Sequence, residues 1–362
     1  MKVVTVVGAR PNFVKIAPIL AELRKYPSVT TTLVHTGQHY DAKMSDAFFA
    51  NLEIPNPDIN LKVQSQGAIS QIAEVMTRLE PVLIRECPDV VVVVGDVNST
   101  LAAALTGVKV GRPVAHVEAG LRSFDRTMAE EVNRVLTDAI SDVLFTTERS
   151  AGENLAREGV SAEKIYFVGN VMIDTLVRYR ERARGSDVLD RLKVTTGGYA
   201  ALTLHRPSNV DDEGALRRLL GAIARIQDEI PVVFPVHPRT RQSLDGLHGA
   251  LQAMPGLCLV DPLPYLDFLH LIANARCVLT DSGGIQEETT ALGIPCLTLR
   301  QNTERPITVT CGTNRIVGTE PDAIYECWRN VADGHWPPGA LPELWDGKAA
   351  GRIVQVLLEM GR

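Results

Sequence analysis

The stretch VVVVVGDVNS, residues 90–99, decides the fold class of this chain. Its first half is five β-branched residues without polar alternation, a pattern typical of a strand buried on both faces. Such strands occur mainly in parallel sheets that helices cover on both sides. A glycine and several polar residues follow at once, as expected where a strand gives way to a helix. The stretch therefore predicts an α/β fold.

Short apolar runs alternate with amphipathic segments on both sides of this stretch, which predicts βαβ units. The predicted strands are Val3–Val7, Thr32–His35, Val90–Val94, Val114–Val117, Val143–Phe145, Ile165–Val168, Ala200–Leu204, Val232–Pro235, Leu257–Val260, Val278–Thr280 and Pro295–Leu299. The segment Val171–Gly198, charged in its middle, predicts a linker between two doubly wound domains that face each other across a cleft. We place these domains at residues 1–170 and 171–346, with an amphipathic helix at 347–362 that packs back on the first.

Length and composition exclude several classes of protein. The 362 residues fit two domains of ordinary size. A net charge of −6 lacks the electrostatic footprint of a nucleic-acid binder. The six cysteines form no Cys-x-x-Cys pair, and no apolar run approaches the ~20 residues of a membrane helix. We therefore expect a cytoplasmic protein with reduced cysteines, no structural zinc, and no nucleic-acid or membrane partner.

Polar groups follow the predicted strands of the first half, where ligands bind in such sheets. Gly8-Ala9-Arg10-Pro11-Asn12 and Lys15 place two cations at a helix N-terminus, which favours an anion, although surface charge is the alternative. Asp96 is either functional or a helix cap. No Gly-x-Gly-x-x-Gly is present, so a dinucleotide fingerprint is absent.

The densest cluster is His116-Val117-Glu118-Ala119-Gly120-Leu121-Arg122 with Glu130-Glu131-Val132-Asn133-Arg134. Carboxylates that converge in a closed site raise one another's pKa, which suits proton transfer. A salt-bridge network of Glu118, Arg122, Glu130 and Arg134 is the structural alternative. The His-x-Glu pair lacks the Pro-Cys-x-x-Cys partner of a zinc deaminase, which disfavours a metal.

The second half predicts an anion site. His205-Arg206 and His237 follow two strands at matching positions, which suggests that they line a cleft. Asp281-Ser282-Gly283-Gly284 opens a helix whose free N–H groups suit a diphosphate, with Glu288 one turn on for a ribose. Arg305 is either a further phosphate partner or a surface salt bridge. No Asp-x-Asp occurs, so a nucleotide-diphosphate site without a metal is expected.

Seven motifs, in order along the chain, resemble those of the non-hydrolysing UDP-N-acetylglucosamine 2-epimerases. They are GARPNFVK (8–15), HTGQH (35–39), GDVNST (95–100), HVEAGLRS (116–123), EEVNR (130–134), DSGGIQEE (281–288) and TERP (303–306). The resemblance implies a GT-B-like fold of two Rossmann-like domains with the active site between them, and a homodimer. It also implies interconversion of UDP-N-acetylglucosamine and UDP-N-acetylmannosamine through elimination and re-addition of UDP, without a cofactor or metal.

By motif, the resemblance implies acid–base roles for Asp96, Glu118 and Glu130, and stabilisation of the departing UDP by His205. It further implies substrate contacts, at Arg10, Lys15, Phe268, Ser282, Gly283, Gly284, Glu288 and Arg305. The segment between the two glutamate motifs is about two residues shorter than in well-known members, so Glu131 stays an alternative to Glu130. Members activated by UDP-N-acetylglucosamine use a Gln-His-x-x-Gln segment and a nearby Arg. The segment Gln38-His39-Tyr40-Asp41 lacks the second Gln and Gln64-Ser65-Gln66 offers no Arg, which argues against such activation.

Three alternatives remain open at this point. They are an epimerase of a related UDP-sugar, a hydrolysing variant, and a metal-independent GT-B glycosyltransferase. A related branch that acts on diacetamido-glucuronates has Trp after Thr-Glu, whereas Arg305-Pro306 here favours the N-acetylglucosamine branch.

Overall fold

A computed structural model of the chain describes residues 1–37 and 53–361. The described chain divides into two compact units: unit 1 is residues 1–178 with 343–362, and unit 2 is residues 179–342. Each unit contains one sheet in which all paired strands are parallel. The predicted α/β class is therefore confirmed.

Unit 1 is built on a seven-stranded sheet with the order β3-β2-β1-β4-β5-β6-β7. Its strands are β1 Lys2–Val7, β2 Thr30–His35, β3 Ile59–Asn60, β4 Val90–Val94, β5 Val114–Ala119, β6 Val143–Thr146 and β7 Ile165–Phe167. The five valines of β4 lie between β1 and β5 and are all buried, as their unbroken apolar pattern requires.

The helices of unit 1 cover this sheet. They are α1 Arg10–Leu23, α2 Ala68–Glu86, α3 Asn98–Lys109, α4 Ala129–Ile140, α5 Arg149–Arg157 and α6 Val171–Ala183, whose last turn lies in unit 2. Valines from β1 and β4 and alanines from α3 form the centre of one core cluster. Small side chains on α3 allow that helix to pack closely on the sheet.

Unit 2 is built on a six-stranded sheet with the order β10-β9-β8-β11-β12-β13. Its strands are β8 Ala200–Thr203, β9 Val232–Pro235, β10 Leu257–Val260, β11 Cys277–Thr280, β12 Cys296–Thr298 and β13 Asn314–Ile316. Its helices are α7 Val188–Leu192, α8 Pro207–Val210, α9 Glu213–Gln227, α10 Pro238–Leu244, α11 His248–Gln252, α12 Tyr265–Ala273, α13 Gly283–Leu292, α14 Pro306–Thr310 and α15 Pro321–Ala332.

The chain returns to unit 1 at its C-terminus. Helix α16, Ala349–Met360, contacts α1, and the Trp345 indole N–H donates to the Thr147 carbonyl over 3.0 Å. Asp174 on α6 accepts the backbone N–H groups of Ala349 and Ala350 at 3.0 and 2.7 Å, which satisfies two donors at the start of α16. These contacts make the C-terminal segment part of the first sheet's unit.

Two details differ from the sequence-based expectation. Strands β3 and β13 were not predicted, because edge strands of two or three residues carry no readable apolar pattern. The segment Val171–Gly198 was predicted as a linker, but it forms α6 and α7. The first six residues of α6 are buried, whereas the charged residues Arg178, Arg180, Glu181 and Arg182, which suggested a linker, are exposed near its end. Among the described residues, no helix is long and apolar enough to span a bilayer.

Candidate active site

In unit 1 the turn after β1 is joined to the end of β4. The Asn12 side-chain oxygen accepts the N–H groups of Gly8 (3.2 Å) and Ala9 (2.9 Å), and its amide nitrogen donates to the Val94 carbonyl over 2.8 Å. Arg10 is the first residue of α1. This bonding brings the loops after two neighbouring strands together at the carboxyl edge of the sheet, where ligands bind in such folds.

Glu118 lies at the end of β5 in a strained backbone conformation. Its φ is +74°, a left-handed value that is uncommon for a residue other than glycine. The register between β5 and β6 shifts between Val117 and Ala119, so Glu118 lies in a bulge. Its carboxylate forms a buried ion pair with the Lys15 ammonium of α1. A strained backbone of this kind costs about 1–3 kcal/mol and is concentrated at functional sites.

Asp96 follows β4 and contacts an arginine that the sequence did not single out as functional. The Arg134 guanidinium donates to the Asp96 carboxylate over 2.8 and 3.2 Å. Helix α3 begins at Asn98 with Val97 as its N-cap, so Asp96 does not cap it. The alternative of a helix cap is therefore wrong, and an interaction with Arg134 accounts for the position of Asp96.

Glu130 and Glu131 have different surroundings although they are neighbours in the first turn of α4. The Glu131 carboxylate is buried. It accepts hydrogen bonds from the backbone N–H and the hydroxyl of Ser123, from the Phe124 N–H and from the Arg134 guanidinium. Glu130 is half-buried. Glu131 thus holds the segment that joins Glu118 to α4, whereas the Glu130 side chain is partly open to solvent.

A cluster that we call the His116 cluster consists of the buried residues His116, Arg122 and Asp138 together with Glu158, whose side chain is 38% exposed. The Asp138 carboxylate lies 2.6 Å from His116 Nδ1 and 2.7 Å from Arg122 Nη1, and Arg122 also binds Glu158 over 2.7 Å. Burial opposes ionisation of Asp138, but the charges and hydrogen bonds of His116 and Arg122 hold its pKa below the ordinary value. The sequence suggested Arg122 in an ion-pair network, and Asp138 as its partner was not foreseen.

In unit 2 a buried aspartate orients the predicted histidine. The Asp281 carboxylate lies 2.9 Å from His205 Nδ1 and accepts the backbone N–H groups of His205 and Arg206. Burial opposes its ionisation, but the bonds from His205 and Arg206 keep the pKa of Asp281 below its usual range. The His205 side chain is 39% exposed, and its ring centre lies 6.1 Å from that of His237. The two predicted histidines are thus neighbours.

The predicted phosphate loop lies at the start of a ten-residue helix. Ser282 is the N-cap of α13 and Gly283 and Gly284 are its first two residues, so their N–H groups have no partner within the helix. A Cβ atom added at Gly283 would lie 2.8 Å from Glu304 Oε1 and 3.0 Å from Arg305 Nη1. A side chain at position 283 would therefore force the ends of the Glu304 and Arg305 side chains to shift.

Arg305 is buried in an ion-pair network and does not form the surface salt bridge that the sequence left open. It lies 2.9 Å from Glu287 and 2.9 Å from Glu304. Glu304 also contacts Arg300 at 2.9 Å and Arg206 at 3.5 Å. This network brings the guanidinium of Arg305 next to the start of α13, which favours an anion there.

Glu288 is buried on α13 and accepts a hydrogen bond from the Tyr265 hydroxyl over 3.1 Å. Burial, assisted by the neighbouring Glu287, raises the pKa of Glu288 to about 7. Phe268 is half-buried on α12, the helix that carries Tyr265. The sequence indicated Glu288 and Phe268 but not Tyr265, whose position before an apolar helix has no distinctive pattern.

The segment Gln38-His39-Tyr40-Asp41, on which the argument about allosteric activation depends, lies outside the described residues. Within residues 1–37 and 53–361, no group of three or more His, Cys, Asp or Glu side chains is arranged to hold a metal ion.

Comparisons with known proteins give a consistent result. The family model described as UDP-N-acetylglucosamine 2-epimerase matches residues 21–358. A UDP-N-acetylglucosamine 2-epimerase homolog of Methanococcus maripaludis is 44% identical over 90% of this chain and 91% of its own length. The UDP-2,3-diacetamido-2,3-dideoxy-D-glucuronate 2-epimerase of Pseudomonas aeruginosa is 39% identical over 99% of this chain and 100% of its own length.

A solved structure is similar along the whole chain. The crystal structure of Methanocaldococcus jannaschii UDP-GlcNAc 2-epimerase in complex with UDP-GlcNAc and UDP superposes with a TM-score of 0.92 at 40% identity. The match covers 99% of this chain and 100% of that one. The GT-B-like two-domain α/β fold is thereby confirmed.

Proposed function

Because the chain belongs to the UDP-N-acetylglucosamine 2-epimerase family, we propose that it interconverts UDP-N-acetylglucosamine and UDP-N-acetylmannosamine. The reaction inverts one carbon, C2 of the sugar. A base removes the C2 proton while the bond between C1 and the UDP oxygen breaks in the anti sense, which gives 2-acetamidoglucal and UDP. UDP then returns to C1 after a proton is delivered to the opposite face of C2.

This chemistry needs proton-transfer groups on both faces of the sugar ring, because the proton leaves from one face and returns to the other. We assign that task to Asp96, Glu118 and Glu130 of unit 1. This assignment is supported by their positions in the fold: Asp96 follows β4, Glu118 lies at the end of β5, and Glu130 lies in the first turn of α4. Lys15 supplies a positive charge beside Glu118, and Arg134 holds Asp96.

The departing UDP carries charge that must be stabilised while the glycosidic bond breaks. We assign this task to His205 in unit 2. Because Asp281 holds Nδ1, Nε2 is the ring nitrogen left to face a phosphate oxygen, and it donates to that oxygen when the ring carries its second proton. We further propose that the turn Ser282–Gly284 binds the diphosphate through the N–H groups of Gly283 and Gly284, and that Arg206, His237 and Arg305 add positive charge or donors to it. Glu288 and Phe268 are then left for the ribose and the uracil.

The observation that carries this proposal is the backbone of Glu118. A buried, charged residue at φ +74° in a bulge is kept only where the fold compensates for its cost. A glycosyltransferase with the same nucleotide site has no need for this carboxylate at the end of β5. An epimerase needs it, because proton transfer at C2 requires a carboxylate that approaches this carbon from a fixed direction.

One experiment tests the proposal directly. The protein is incubated with UDP-N-acetylglucosamine in D2O and followed by proton NMR. We expect deuterium at C2 together with UDP-N-acetylmannosamine, and Asp96→Asn should slow both by about 10²–10⁴-fold. Release of free N-acetylmannosamine and UDP would show a hydrolysing enzyme instead. Unchanged UDP-N-acetylglucosamine without exchange would contradict the proposed substrate.

A second substrate deserves its own sample because the Pseudomonas relative, at 39% identity, bears the name of a diacetamido-glucuronate epimerase. The same NMR experiment with UDP-2,3-diacetamido-2,3-dideoxyglucuronate compares kcat/KM for the two sugars. We expect UDP-N-acetylglucosamine to be preferred. A higher value for the glucuronate would reassign the substrate and leave the C2 chemistry intact.

We also propose that the enzyme is a homodimer, which rests on the family resemblance of its motifs. Light scattering during size-exclusion chromatography should then give twice the 39.4 kDa of one chain.

A further inference from the structure

The central residues of the His116 cluster, His116, Arg122 and Asp138, are buried and have no role in the proposed proton transfer. Its central group, the Asp138 carboxylate on α4, is 1% exposed, and the His116 ring is not exposed at all. Burying charged groups in this way is costly unless they are paired and hydrogen-bonded. The contacts that the cluster makes with Gly95 and Gly120 indicate why these residues are buried there.

One side of the cluster reaches the residue before Asp96. His116 Nε2 lies 2.8 Å from the Gly95 carbonyl oxygen, and since a carbonyl only accepts, Nε2 is the donor. Gly95 has a φ of +73° and its N–H donates to the Val117 carbonyl over 3.1 Å. The sharp turn that follows β4, and from which Asp96 projects, is thus bonded to His116 and to its neighbour on β5.

The other side of the cluster reaches the bulge that carries Glu118. The Gly120 N–H donates to Asp138 Oδ2 over 3.0 Å. Gly120 also has a left-handed φ of +79°, and a Cβ there would lie 2.3 Å from the Ala151 carbonyl oxygen. Asp138 therefore holds the backbone two residues after Glu118, at a position whose left-handed conformation and lack of space require glycine.

From these contacts we propose that Asp138 is a positioning residue that fixes, through His116 and Gly120, the backbone carrying Asp96 and Glu118. Each oxygen of its carboxylate serves one of the two loops, and Arg122 neutralises its charge. A single rigid cluster thereby sets the distance between two groups that act on one carbon. The inference rests on the proposed function, since it concerns the alignment of those two groups.

The variant Asp138→Asn tests this directly. An amide has one oxygen, so it cannot accept from both His116 and Gly120, and its NH2 faces one of these donors. A displacement of about 1 Å costs roughly 10²-fold in rate. We expect kcat per folded protein to fall by that order, while KM and the Kd for UDP stay within about threefold. Equal kcat in the folded variant and the wild type would overturn the inference.

Asp174→Asn is the matched control. Asp174 is also a buried unit 1 carboxylate that accepts two backbone N–H groups, but these belong to α16. We expect it to lower the melting temperature and leave kcat per folded protein unchanged. If both variants lose kcat in proportion to their loss of stability, the role of Asp138 is structural and the inference is wrong.

A second variant decides the question should Asp138→Asn not fold. The amide nitrogen of Gln reaches the position of His Nε2, so His116→Gln keeps the bond to the Gly95 carbonyl but loses the bond to Asp138. We expect kcat per folded protein to fall by the same order as expected for Asp138→Asn, and wild-type kcat in folded His116→Gln would contradict the inference. Wild-type C2 exchange in D2O is measured first. If the wild type shows no exchange, the proposed function is wrong. If the wild type exchanges and the variants keep its kcat, only the positioning role is wrong.

Discussion

At the scale of single residues, the same carboxylate chemistry serves different ends according to the partners that surround it. Glu131 is saturated by four hydrogen bonds and Glu118 is paired with one ammonium in a strained bulge. Glu288 lies buried beside a single hydroxyl, and its pKa rises. Charge, burial and the number of donors together determine which of these groups holds the fold and which can exchange a proton.

The adjacent glutamates of α4 provide a test at this scale. Glu130→Gln should lower the rate of C2 deuterium exchange by about 10²–10⁴-fold and leave the free energy of unfolding nearly unchanged. Glu131→Gln should instead destabilise the protein by about 3–5 kcal/mol, because Arg134 loses a buried partner. Exchange kinetics and urea denaturation of both variants check this. The reverse pattern would assign the acid–base role to Glu131.

Glu288 predicts a dependence of stability on pH. Its pKa lies near 7 in the folded protein against an ordinary value of 4.5, so the folded state binds the proton more tightly. Stability from this group is therefore present at low pH and is lost as the pH rises towards 7. Between pH 5 and 8, the free energy of unfolding should therefore fall by about 2 kcal/mol less in Glu288→Gln than in the wild type, as measured by denaturant titration. Glu359→Gln, at an exposed position of α16, is the control, and equal slopes in the two variants would contradict the prediction.

At the scale of elements, chemistry is placed where a parallel strand ends and a helix begins. The loops after β1, β4 and β5 carry the polar residues of unit 1, and those after β8 and β11 carry His205 and the start of α13. Strand ends in a parallel sheet meet at one edge, so residues distant in sequence become neighbours there. At the start of α13, such a junction leaves little space for a side chain at position 283.

Gly283→Ala tests the junction. The added methyl would approach Glu304 and Arg305 to within 3.0 Å, so the network must shift away from the helix N-terminus. We expect UDP to bind at least about tenfold more weakly, since close approach of the backbone to phosphate requires glycine. Isothermal titration calorimetry with UDP measures this. Gly351→Ala, on α16 with no atom within 4 Å of the new methyl, should bind UDP as the wild type does. Unchanged affinity in Gly283→Ala would refute a role of this turn in diphosphate binding.

At the scale of the whole molecule, the first compact unit is discontinuous in sequence. Residues 343–362 complete it, and α16 buries Ala349, Ala350, Ile353, Val354 and Leu357. The C-terminal residues thus stabilise the N-terminal sheet, although more than 300 residues separate Ile353 from β1.

Ile353→Ala tests this dependence. Loss of a buried isoleucine costs about 2–5 kcal/mol. Because α16 packs on α1, hydrogen exchange should accelerate in peptides covering β1 and α1 and stay unchanged in β8 and β11. Mass spectrometry of exchange measures it, with exposed Glu359→Ala as the control. Equal acceleration in both units would show that the chain unfolds as one body.

Much of this was readable from residue order alone. The valine run at 90–94, the alternation of apolar and amphipathic segments, and the motifs at the strand ends determined the α/β class, the two sheets and the family. These features are local, because burial on both faces, helix periodicity and loop chemistry each leave a pattern within about ten residues. The tertiary structure alone decided the pairing of Lys15 with Glu118, the saturation of Glu131, and the contacts of Asp138 with both His116 and Gly120. Those contacts join side chains from different elements, and only the path of the folded backbone, including the left-handed bulge at Glu118, brings them together.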